Sequence, residues 1–305
     1  MILEKLKKKN MYTILGGAMV FIVIFVAVLN LFWTPADPTR MNAAERFAAP
    51  SAAHPFGTDN FGRDILSRVM NGVGQTILIS SLVMVISSSC GVLIGAVAGY
   101  NGGWFDDLIM RITDAINGFP SILLALVVIS VLGPGRKNLI ISLGIAFIPS
   151  FVRIVRGEFI RLRDADYILR ARLMGVSRPR ILFVHILPNI FSTFWVAVMI
   201  GFNNAILAES GMSYLGIGTA PPDATLGNML SDAQGYLTRA PWYAIFSGLS
   251  IVFIVLGASL LSEGLRRKEA GRGAGDLSGR QRRRTSAGGR ALSQTASSSI
   301  LPAKG

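Results

Sequence analysis

The chain has 305 residues, 51% hydrophobic and only 15% charged, well below the roughly 25% charged share of soluble domains. Its net charge is +13, of which the stretch from Arg266 to Gly305 supplies +8 (ten Lys/Arg against Glu269 and Asp276), leaving 13 − 8 = +5 for the rest. A lone cysteine, Cys90, excludes an intrachain disulfide, and two distant histidines, His54 and His185, leave no Cys/His cluster at metal-ligand spacing.

In chain order, Lys5, Lys7, Lys8 and Lys9 precede an uncharged run from Met11 to Trp33. A membrane crossing needs about 20 apolar residues, and no small-residue cleavage site follows, so this run reads as a retained span. Residues 34–74 are polar and rich in Pro, Ala and Gly, and Asp64 to Asn71 is expected to lie as an interfacial amphipathic helix with Ile65, Leu66 and Val69 inward. Gln75 to Gly99 is the second span. Leu108 to Gly133 is the third, with Arg111 and Asp114 spaced to pair on one helix face. Leu139 to Val155 is the fourth, with Pro149 inside it. Ile190 to Ala208 is the fifth and Trp242 to Leu261 the sixth.

Polar groups within spans are costly and face protein or a water cavity. That makes Glu209, Asn203 and Asn204 candidates for a translocation pathway. The alternative for Glu209 is helix–helix hydrogen bonding or capping of the loop beyond it. Lys and Arg are concentrated in 1–10, 158–185 and 266–305, 20 in all, against 7 in the alternate segments 34–74, 136–137 and 209–241. The positive-inside rule then puts both termini and the loop after the fourth span in the cytoplasm. The tail from Ala270 is rich in Gly, Ser, Arg and Ala and is expected to be disordered.

That cytoplasmic loop, Asp164 to Asn189, is strongly basic. Residues Asp166 to Met174 read as a short helix, Gly175 as its stop, and a second short helix leads to Pro188. The loop resembles the one in permeases of binding-protein-dependent ABC importers, whose signature is Glu-Ala-Ala, three residues, Gly, nine residues, then Ile-x-Leu-Pro. Here Ala171, Gly175, Leu187 and Pro188 keep their places, Leu169 and Arg170 stand for Glu-Ala, and His185 stands for Ile. The stretch His54, Gly57, Thr58, Asp59, Gly62, Arg63, Asp64 resembles the external motif of the dipeptide, oligopeptide and nickel branch. So do Glu209, Ser213 to Gly216, Gly218, Pro221-Pro222, Gly227 to Leu230 and Ala240 to Trp242.

The resemblance implies an all-α membrane protein of six transmembrane helices, the type I ABC importer permease fold with cytoplasmic coupling helices. It divides the chain into an N-terminal part (1–72), a core permease domain (73–267) and a basic tail (268–305). It implies coupling to ATPase subunits through Tyr167, Leu169, Arg170, Ala171, Arg172, Leu173, Met174, Gly175, His185, Leu187 and Pro188. No G-x-x-x-x-G-K-[ST] loop is present, so two separate ATP-binding subunits would carry ATP and Mg, and this chain binds no cofactor and no metal. The other implied partners are a second permease subunit in a heterodimer, an external solute-binding protein and membrane lipid, with no nucleic acid. The site is the cytoplasmic membrane of a bacterium or archaeon, and the solute a di- or oligopeptide, with nickel or glutathione as alternatives. A passive channel or an intramembrane enzyme would be a different class; the second lacks a nucleophile–base constellation in the spans.

Overall fold

A computed structural model describes residues 2–219 and 223–267, with side chains from Met11 onward. Pro221, Pro222 and the basic tail expected to be disordered lie outside the described residues. In chain order come α1 (Ile2–Leu29), α2 (Ile65–Asn101), α3 (Gly103–Asn117), α4 (Ser121–Leu132), α5 (Arg136–Arg163), α6 (Asp166–Leu173), α7 (Arg178–Arg180), α8 (Leu187–Tyr214) and α9 (Leu226–Gln234). A last helix, α10, covers Pro241–Arg267. Among the described residues five helical segments are long and apolar enough to cross a membrane, and α3 with α4 makes a sixth only as a pair bent by 89°.

The bend has a local cause. Pro120 has no N–H to continue the ladder and keeps Phe119 out of the helical region. The 12-residue α4 is about 18 Å long, too short to cross a hydrocarbon core of about 30 Å alone. The third span is therefore broken, not straight. Across the break α3 is tied sideways to α5. Arg156 grips the nearly buried Asp106 with two hydrogen bonds of 2.5 and 2.7 Å, and Arg153 reaches Asp114 at 2.6 Å. Arg153 thus takes the place expected for Arg111, because α5 presents a guanidinium directly across from the carboxylate.

Two further expectations are corrected. Asp64–Asn71 is no separate interfacial helix: α2 runs unbroken for 37 residues, capped by Asp64, which accepts from Ser67 N at 2.8 Å and Ser67 Oγ at 2.7 Å. Position 72 lies inside it. Nor does a second short helix end at Pro188. From Arg178 to Tyr214 the chain is one 37-residue rod. Pro188 lacks a donor and its ring crowds the carbonyl four residues back. The rod relieves this by widening to a π turn over Ile181–Ile186, where Leu187 N–H donates to Leu182 O, five residues back.

The rods pack where side chains vanish. Among α1 to α9 the largest interface is α2 against α5, along Gly91, Gly95 and Gly99. A Cβ at Gly91 would overlap the Cβ of Phe151, and one at Gly95 would lie 2.7 Å from Val152 O. Small residues let membrane helices approach closely. Gly16 in α1 meets the backbone of Leu261 in α10 in the same way.

At one end of the bundle, residues 34–64, the loop after α8, α9 and the start of α10 fold into a polar cap. Buried Asp59 accepts hydrogen bonds from Phe61 N (2.8 Å), Arg63 N (2.9 Å) and Arg63 Nε (2.6 Å), and Arg68 Nη1 lies 3.5 Å away. His54 Nδ1 contacts Asp64 at 2.9 Å. Gly62 has φ +72°, and a Cβ there would overlap Asn42 O, so only glycine closes this turn. Phe56 stacks on Phe246 of α10 with centroids 4.0 Å apart. Burial raises the Asp232 carboxyl in α9 above its ordinary value, against the pull of Arg68 and Arg63.

Candidate functional site

The other end of the bundle is an elbow built on α6. Ile168 (0% exposed) and Ala171 (5%) anchor it in a core with Val155, Phe159, Ile181, Ile186 and Ile190. The small signature alanine fits here because that face is pressed against other helices. After Met174 the helix closes with two bonds, Gly175 N to Arg172 O (3.0 Å) and Val176 N to Ala171 O (3.1 Å), and Gly175 sits at φ +76° with open space around it. This is a Schellman cap.

The outward face is apolar. Leu173 is 88% exposed and Met174 77%, with Tyr167 and Leu169 at 42% each. Arg170 is also exposed. Arg172 is exposed too but turns toward α2, lying over the Tyr100 ring, 5.0 Å from its centroid. His185 sits within the π turn, and Asn189 Nδ2 donates to its carbonyl (2.7 Å) and to the Tyr167 hydroxyl (3.3 Å). Asn189 thereby holds α6 to the rod, and Leu187 packs against the same elbow core.

The three polar pathway candidates separate. Asn204 lines a cavity of about 390 Å³ at the α3–α4 break, together with Asn117, Phe119, Ser121, Phe147 and Ser150. None of the residues lining it is charged. Asn203 faces elsewhere, donating to Ser259 Oγ of α10 at 2.9 Å. Glu209 is fully buried and accepts from Ser213 Oγ at 2.8 Å and Ser210 Oγ at 3.3 Å, beside Thr76 and Thr225. Gly218 and Gly227 press onto Ser213 so closely that a Cβ on either would lie within 3 Å of its side chain. Thr225 caps α9 by accepting from Asn228 N (3.3 Å), and Asn228 Nδ2 donates to Thr219 O (2.5 Å).

The cavity was not foreseen from the sequence, although Gly118-Phe119-Pro120 inside an apolar run marks it. The external motif residues His54, Gly57, Thr58, Asp59, Gly62, Arg63 and Asp64 all lie in the cap. There Thr58 N bonds Ala48 O (3.0 Å), and a Cβ on Gly57 would be 2.7 Å from Trp242 Nε1.

Residues 91–268 match the family model for the inner membrane component of binding-protein-dependent transport systems. A dipeptide transport system permease protein of Alkalihalophilus pseudofirmus is 38% identical over 259 residues, covering 85% of each chain. The corresponding dipeptide permease of Haemophilus influenzae is 34% identical over 265 residues, 85% of this chain and 90% of that one. A glutathione transport system permease protein of Pectobacterium atrosepticum is 36% identical over 252 residues, 82% and 84% respectively. With its broken and continuous spans, its capped elbow and these relatives, the chain belongs to the inner membrane components of binding-protein-dependent ABC importers, as a multi-pass permease of the peptide-transport family.

Proposed function

We propose that this permease passes di- or oligopeptides inward by alternating access, driven by ATP and Mg bound to two partner ATPase subunits. An external solute-binding protein delivers the solute to the cap end, and a second, non-identical permease completes the chamber. The Lys/Arg bias supports a cytoplasmic elbow and cytoplasmic termini. The names of the relatives, two dipeptide permeases and one glutathione permease, support a peptide solute. So does the cavity at Asn204: its uncharged lining of amides, hydroxyls, aromatic rings and aliphatic side chains suits a solute whose side chains vary. Asn204 is then the pathway residue of the three, Asn203 a tie between α8 and α10, and Glu209 a buried brace under the cap. In three parts, residues 1–72 comprise the cytoplasmic N-terminal segment, the first span and the external segment before α2, 73–267 the transport core, and 268–305 the basic cytoplasmic tail.

The observation that carries the coupling is the bare apolar pair Leu173 and Met174 on a helix of only eight residues. Helices this short are marginal alone, and a protruding apolar tip fits a pocket on an ATPase subunit. Gly175→Val tests it. A β-branched residue at positive φ costs about 1–2 kcal/mol and has to re-aim α6, while the open space at Gly175 leaves the spans untouched. In vesicles holding the full complex, ATP hydrolysis is expected to continue with solute uptake reduced at least tenfold, or the ATPase subunits to dissociate. Wild-type uptake by this variant would remove the coupling role of the elbow.

For Glu209 the expected outcome is structural. Glu209→Ala leaves buried hydroxyls on Ser213 and Ser210 without their acceptor, at about 1–3 kcal/mol. Thermal unfolding of the detergent-solubilised permease is expected to drop, with the KM for solute unchanged in the surviving complex. A changed KM at unchanged melting temperature would return Glu209 to the pathway.

A further inference from the structure

Beside the elbow, away from Leu173 and Met174, the chain encloses a second polar recess of about 380 Å³, lined by Tyr100, Asn101, Arg172, Val176, Arg178 and Ile181. Two features set it apart. Arg172 lies over the Tyr100 ring, its guanidinium 5.0 Å from the centroid, which orients it toward the end of α2. Neither Arg172 nor Arg178 has an ion-pair partner among the described residues, whereas the neighbouring Arg156 and Arg163 do. Two guanidiniums lining one open recess suit a planar or tetrahedral oxyanion.

The level of the recess indicates which oxyanion. Tyr100 ends the apolar run of α2, and Trp104, 77% exposed, follows four residues later. Tyr and Trp concentrate at membrane–water interfaces. The recess therefore opens at the height of lipid headgroups, and basic pockets between helices on the cytoplasmic side are suited to anionic lipid phosphates. We propose that Arg172 and Arg178 form a binding site for the phosphate of an anionic phospholipid of the cytoplasmic leaflet, seated between the end of α2 and the elbow. The choice of leaflet rests on the orientation proposed above; the site itself does not. A lipid held there would bridge α2 to the coupling segment, making elbow position sensitive to membrane composition.

The test is native mass spectrometry of the full permease–ATPase complex in a neutral detergent, titrated with phosphatidylglycerol or phosphatidylcholine. Phosphatidylglycerol is expected to be retained preferentially. Arg172→Gln and Arg178→Gln are each expected to weaken it about fivefold, from the roughly 1 kcal/mol contributed per basic residue near anionic lipid. Arg180→Gln removes the same charge from the same turn outside the recess and is expected to leave retention unchanged. An equal loss with Arg180→Gln would reduce the effect to general surface charge and overturn the site. Two other results would also overturn it. One is displacement of the lipid by millimolar inorganic phosphate, which assigns the recess to a soluble anion. The other is retention by the permease pair alone that vanishes when ATPase subunits are added, which assigns it to the protein interface. Retention is read without transport, so failure here leaves the transport reading standing.

Discussion

Asp59→Ala is expected to destabilise the cap by about 3–5 kcal/mol, the range for removing one partner of a buried ion pair. Its carboxylate is the only acid contacting both Arg63 and Arg68 among the described residues, and all three side chains are almost fully buried. Without it two guanidiniums remain in a site water hardly reaches, and the backbone N–H groups of Phe61 and Arg63 lose their acceptor. The damage should be local. The spans still insert, but the segment before α2 becomes accessible to added protease and the purified permease melts earlier. Asp59→Asn retains some acceptor capacity and should cost less. His54→Ala, whose partner Asp64 keeps its bonds to Ser67, should cost less again. Equal melting of Asp59→Ala and wild type would show that the cap is not held by this charge cluster.

A second large effect is expected at Gly91. Leucine there has to displace Phe151, whose Cβ already occupies the space a side chain would need. Overpacking a tight core costs about 1–3 kcal/mol, and here the obstacle includes the α5 backbone within 3.2 Å, so relief requires the two longest-packed helices to part. Gly91→Leu is expected to accumulate poorly and to lose its partner subunits on solubilisation, with Gly91→Ala intermediate. Gly157→Ala is the control: nothing lies within 4 Å of its added Cβ, and a helical Gly→Ala exchange is neutral or mildly stabilising. Normal accumulation of Gly91→Leu would show that the α2–α5 interface can open enough to admit a side chain.

Four of the spans were legible as uncharged runs, the third and fourth as apolar runs with a few charges (Arg111, Asp114, Arg153), and Gly175 was legible as a helix stop because a short periodic stretch ends on it. Features that depend on partners far along the chain were not. The tilt of α3 depends on Arg156 reaching Asp106, 50 residues away, whereas spacing alone favoured Arg111 with Asp114. The sequence presents His54–Asp64, Glu209–Gly218, Gly227–Leu230 and Ala240–Trp242 as separate motifs. In the folded chain Gly57 lies against Trp242, and Ser213 lies under Gly218 and Gly227, so they form one cap. Glu209, Asn203 and Asn204 were alike as polar groups near the end of a span. Only the helix neighbours place one in a cavity, one against Ser259 and one beneath the cap.

The π turn ahead of Pro188 makes the elbow and the fifth span a single lever. Its 37 residues from Arg178 to Tyr214 span about 55 Å at 1.5 Å per residue. Each degree of tilt about one end therefore carries the other by about 1 Å. The cap bears on the far tip through Gly218 and Gly227, which touch Ser213 directly. The π turn itself is anchored beside α6, since Ile181 and Ile186 share a core with Ile168 and Ala171. Any tilt of the rod set at its α6 end would therefore appear at its cap end.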